Sequence, residues 1–115
     1  MFILFDHGTP KGLARALSGH TVHTAQAMGW DTLSNGELLS AADEAGFELL
    51  LTTAPGIRHQ QNLRVRRIAL VVLTGSTKWS RVRQHADRIA TAVASATPGS
   101  YSEVEIPFEP KPGRA

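Results

Sequence analysis

The stretch RIALVVL, residues 67–73, decides the fold. After Arg67 it is wholly apolar and rich in branched side chains at both odd and even positions. Neither face of such a strand could meet water, which places it inside a parallel sheet covered on both sides. Two more runs share this character, FILF at residues 2–5 and ELLLTT at 48–53.

Between these runs the spacing changes from that of strands to that of helices. Upstream of ELLLTT, Ser34 or Asn35 can cap a helix with Leu38, Leu39, Ala42 and Ala45 at helical spacing, stopped by Gly46. HTVHT at 20–24 is short and β-rich, a second strand. Thr9 can cap and Pro10 suits the first turn of a helix whose apolar face is Leu13, Ala14 and Leu17, ended by Gly19. Residues 54–56 form a turn, and 57–63 allow one or two helical turns. Downstream of RIALVVL, Trp79 to Ala96 reads as the longest helix, with Val82, Ile89 and Val93 inward, broken by Pro98 and Gly99. Tyr101 to Ile106 alternates like an edge strand. The expected architecture is therefore α/β, strands separated by helices around a mainly parallel sheet. Residues 1–106 form one domain, and 107–115 a flexible Pro-rich tail.

Composition narrows the chemistry. The 115 residues contain no cysteine, which excludes disulfides, thiolate metal sites and a cysteine nucleophile, and fits a cytoplasmic setting. No run approaches the roughly 20 apolar residues of a membrane span. The apolar start has no basic region or cleavage site, so it reads as a strand and not a signal peptide.

The net charge of +2 conceals an asymmetry. Residues 1–57 carry Lys11 and Arg15 against six acids; residues 58–115 carry ten bases against four acids. An acidic site beside a basic surface suits a polyanion, and the excess of Arg over Lys suits phosphate. A solvated helix face is the plainer account of such a run.

In parallel sheets the ligand site lies beyond the carboxyl ends of the strands. Asp6 stands there, directly after FILF, and a charge so placed must be solvated, paired or bound to metal. Glu37 lies in the first turn of its helix, where the dipole favours a carboxylate. If the strand ends meet, Asp6 and Glu37 could share Mg²⁺ or Mn²⁺, which take oxygen ligands and keep several waters. The plainer alternatives are a carboxylate capping the next helix and an electrostatic dressing of a helix start. Arg58, Gln60 and Asn62 could contact phosphate or bases, or form a capped surface turn. Trp79 could stack a base or simply pack. His20 and His23 would face opposite sides of a strand and make a poor metal pair.

The segments FILFDHGTPKGLARAL, NGELLSAADEAGFELLLTT and IRHQQNLRVRRIALVVL resemble the short bacterial PIN-like proteins, over residues 2–83. The resemblance implies a three-layer α/β/α sandwich with an acidic cluster at the carboxyl edge of its sheet. It implies a ribonuclease dependent on Mg²⁺ or Mn²⁺, often the toxin of a toxin–antitoxin pair with a cognate antitoxin as partner. Carried over by position, Asp6 matches the first acidic ligand, and Asn35 to Glu37 the second, with Glu37 its carboxylate. Asn35, Thr52, Thr53, Arg58, Gln60 and Asn62 fall on the substrate side. After Thr52 and Thr53 the family usually has an aspartate, and here Ala54 stands in its place. The loss of that ligand puts catalysis in question. The alternative is a catalytically inactive PIN-like module that binds RNA or a partner protein; a homodimer is left open.

Overall fold

The computed structural model describes residues 1–54 and 67–108. The chain runs through strand β1 (Phe2–Phe5), a 3-10 helix (Lys11–Leu17), β2 (Thr21–Thr24), helix α1 (Asn35–Glu44), β3 (Leu49–Thr52) and β4 (Ala69–Gly75). It continues through α2 (Trp79–Val82), a 3-10 turn (Arg83–His85), α3 (Ala86–Ala94) and β5 (Tyr101–Ile106). The strands form one sheet in the order β2-β1-β3-β4-β5, with every neighbouring pair parallel. This is the α/β class with a parallel sheet that RIALVVL, FILF and ELLLTT predict.

The apolar runs are buried for the reason their composition gives. All four residues of β3 and the first five of β4 are buried, because side chains of alternate parity enter separate cores. Ile3, Phe5, Leu49, Leu51, Val71 and Leu73 pack on one face with Leu13 and Leu17 of the first 3-10 helix and Val82, Ile89 and Val93 of α2 and α3. Leu4, Leu50, Leu70 and Val72 pack on the other face with Leu38, Leu39 and Ala42 of α1 and with Phe47. Phe47 stacks on Phe2 with ring centroids 4.0 Å apart.

These assignments relate the hands of three crossovers to one another. From β1 to β2 the chain steps outward over the first face; from β2 to β3 it returns in the opposite direction over the second face. Reversing both direction and face preserves the hand, so these two connections agree. From β4 to β5 the chain steps in the β2-to-β3 direction but over the first face, so this crossover has the opposite hand. It brings the apolar stripe of α3 onto that of the Lys11–Leu17 helix.

Three local expectations are corrected. Thr9 does not cap the first helix: Pro10 occupies the cap position without a side-chain bond, and the Thr9 hydroxyl is engaged elsewhere. That helix is 3-10 throughout. The continuous helix over 79–96 is interrupted, with the backbone leaving helical geometry at His85 (φ −113°, ψ 18°). No Gly or Pro marks this break in the sequence.

β5 is an edge strand, as its alternation predicts. Its inward carbonyls at Ser100 and Ile106 accept from Leu70 and Ser76, so those of Glu105 and Pro107 point outward. Arg88 Nη1 donates to Glu105 O at 2.9 Å, and Arg81 Nε to Pro107 O at 3.0 Å. Two guanidinium groups thus cover an edge that would otherwise offer free acceptors to another strand.

Candidate functional site at the carboxyl edge

The order β2-β1-β3-β4-β5 reverses direction between β1 and β3, and ligands of open α/β sheets bind at such a switch point beyond the strand ends. Asp6 and Thr52 stand there side by side. Phe5 pairs with Leu51 in register, and the Asp6 N–H donates to Leu51 O at 3.1 Å. Asp6 is two residues beyond Leu4, and Thr52 two beyond Leu50, so both side chains lie on the α1 side of the sheet.

The Asp6 carboxylate, only 9% exposed, is held by three donors of its own chain. The Gly8 N–H (3.1 Å) and the Thr9 hydroxyl (2.6 Å) reach Oδ1, and the Thr52 hydroxyl donates to Oδ2. Thr52 in turn accepts from the Ala54 N–H at 3.0 Å. Thr9 Oγ1 also lies 2.8 Å from Leu51 O. Its single proton therefore serves two acceptors, one at a time. Thr9 is the member of this cluster that sequence reasoning missed, because the Thr-Pro pair fits a helix start equally well. A Cβ on Gly8 would lie 2.5 Å from Thr53 Oγ1, so this loop packs closely on the end of β3.

Glu37 sits at the same edge and on the same face, in the first turn of α1, but its contacts are local. Its Oε1 accepts from the Ser34 N–H at 2.9 Å, and its own N–H donates to Ser34 Oγ at 3.2 Å, a reciprocal capping box. The Ser34 N–H, and secondarily its hydroxyl, hold the carboxyl below its ordinary value of 4.5. A lowered folded-state value stabilises the fold above the unfolded value and loses that contribution as pH falls through the folded one. Ser34→Ala removes the hydroxyl and keeps the N–H; it is expected to cost about 1 kcal/mol and to leave Glu37 still below its ordinary value. A carboxyl-carbon NMR titration checks this; a Glu37 midpoint returned fully to the ordinary value would contradict the leading role of the Ser34 N–H.

Asp6 and Glu37 share no hydrogen-bond partner among the described residues. Asn35 opens α1 and Thr53 follows β3, both half-buried. The Ala54 methyl packs against the α1-side core. Arg58, Gln60 and Asn62 lie outside the described residues. Of the basic stretch 58–88, Arg81 and Arg88 serve the β5 edge, whereas Lys78 and Arg83 are exposed. A cavity of about 510 Å³ opens at the other end of the sheet, between Met1, Phe47, Glu48 and Arg67, away from Asp6.

The donor set fits a resident divalent cation poorly. The Gly8 N–H holds Asp6 Oδ1 and the Thr52 hydroxyl holds Oδ2, with the Thr9 proton shared between Oδ1 and Leu51 O. No group of three His, Asp or Glu residues that could hold a metal occurs among the described residues. No helix among the described residues is long and apolar enough to cross a membrane. No family model, curated protein or solved structure matches the chain.

Proposed function

We propose that this chain is a PIN-like domain that binds single-stranded RNA at the carboxyl edge of its sheet without cutting it. The observation that carries this reading is the commitment of Asp6 to Gly8, Thr9 and Thr52, beside an alanine where a further acid would be needed. In this account Asp6 ties β1 to β3 and shapes the loop that follows. Lys11, Lys78 and Arg83, all exposed, supply phosphate contacts at or near that edge.

The test is a Mn²⁺ titration by calorimetry beside a cleavage assay on labelled single-stranded RNA. The wild-type chain is expected to show no saturable Mn²⁺ binding at millimolar concentration and no cleavage. It should still bind RNA in a salt-sensitive manner. Ala54→Asp is expected to introduce Mn²⁺ binding.

One observation favours the ribonuclease reading: Asp6 and the first turn of α1 share an edge and a face, and Oε2 of Glu37 has no part in the capping box. In that reading Asp6 and Glu37 hold Mg²⁺ or Mn²⁺, and a toxin role with a cognate antitoxin goes with it. Mn²⁺-dependent cleavage by the wild-type chain, removed by Asp6→Asn, would establish it and displace the non-cleaving account.

A further inference from the structure

We propose that the indole of Trp79 is a stacking platform for one base of single-stranded RNA, with Lys11 and Lys78 contacting the flanking phosphates. The proposal rests on the RNA-binding reading above and names its subsite.

Trp79 opens α2 just beyond the carboxyl end of β4, and Gly12 lies in the helix that follows the Asp6 loop. A Cβ on Gly12 would stand 2.5, 2.7 and 3.0 Å from Cζ2, Cη2 and Cε2 of Trp79. These are three consecutive atoms of the six-membered ring. Near-equal distances place Gly12 over the ring face, since an edge-on approach would leave the two flanking atoms much farther away. Glycine at this position is what allows the main chain to come so close. One face of the indole is thus backed by main chain, and the residue remains 43% exposed.

The surroundings select the ligand. Lys11 precedes Gly12 and Lys78 precedes Trp79, and both are exposed. A flat aromatic face with exposed lysines next to both Gly12 and Trp79 in the chain matches a base joined to phosphates on both sides. It does not match an aliphatic protein surface, which would gain nothing from the charges. Base–aromatic stacking tolerates any sequence, because every base has a π-face. A duplex keeps its bases stacked inside and cannot offer one.

The experiment uses the full chain and a single-stranded oligouridylate dodecamer, with affinity read by fluorescence anisotropy of a labelled strand. Trp79→Leu is expected to weaken binding about tenfold, and Trp79→Phe to restore most of the loss. In a Trp30→Phe background, where Trp79 is the only indole, saturating RNA should quench the emission, and a duplex of equal length should not. An affinity for Trp79→Leu within twofold of wild type, or an unquenched Trp79 at saturation, overturns the stacking site while leaving RNA binding in place. Absence of RNA binding by the wild-type chain overturns both.

Discussion

Gly75→Ala is expected to destabilise the protein by about 3 kcal/mol or more. Gly75 ends β4 with φ +83°, a conformation that costs other residues roughly 1–2 kcal/mol. The larger problem is space. The added methyl would collide with the carbonyl oxygen of Ile106 and lie 3.2 Å from its carbon. That obstacle is main chain, fixed by the Ser76 N–H donating to Ile106 O at 2.9 Å, so no rotamer change relieves it. The ends of β4 and β5 must part, breaking that bond and opening the fully buried Ile106 to water. Urea unfolding should report the loss directly, and the melting temperature should fall by more than about 10 °C. Gly46→Ala is the control: φ is +88° there, but a Cβ meets nothing within 4 Å, so the backbone cost stands alone, near 1 kcal/mol. Equal stabilities for the two variants would refute the close approach of β5 to Gly75.

Removing both hydroxyls from Asp6 should have an effect of similar size. Thr9→Val and Thr52→Val conserve shape and delete a donor to a buried carboxylate. Each is expected to cost about 1.5–3 kcal/mol, the range for hydrogen bonds to a charged group. Together they leave the carboxylate with the Gly8 N–H alone. The double variant should lose 3 kcal/mol or more, approaching the roughly 3–5 kcal/mol of an uncompensated buried charge. Adding Asp6→Asn to the double variant should recover part of this, because a neutral amide tolerates the missing donors better. A double variant within 1 kcal/mol of wild type would mean that solvent, and not Thr9 and Thr52, satisfies Asp6.

The parts of the fold written most plainly in the sequence are those that depend on burial. RIALVVL, FILF and ELLLTT have no polar face to expose, so a parallel sheet is their only outlet, and the strands appear where those runs fall. A cap at Ser34 or Asn35 was likewise readable ahead of α1, and the structure places it at Ser34, in a reciprocal box with Glu37. Thr9 was less legible, because a hydroxyl before proline serves a helix start or a neighbouring carboxylate equally well. Only the pairing of β1 with β3, a contact across more than forty residues, decides between them. Arg81 and Arg88 pose the same difficulty. On a helix they resemble a phosphate-binding run, and their role at β5 follows from which strand lies beneath them. For the candidate site, Asp6 at a strand end was readable from position alone, but its engagement by Gly8, Thr9 and Thr52 depends on the loop geometry that follows.

The reversed hand of the final crossover bears on how the chain acquires its structure during synthesis. The first twenty residues supply Ile3, Phe5, Leu13 and Leu17, and their lids, Ile89 and Val93, emerge only in the last quarter of the chain. An α1-side half could be assembled early, but the opposite side stays uncovered until α3 has left the ribosome. A nascent chain stalled before Ile89 would therefore present a continuous greasy strip to chaperones.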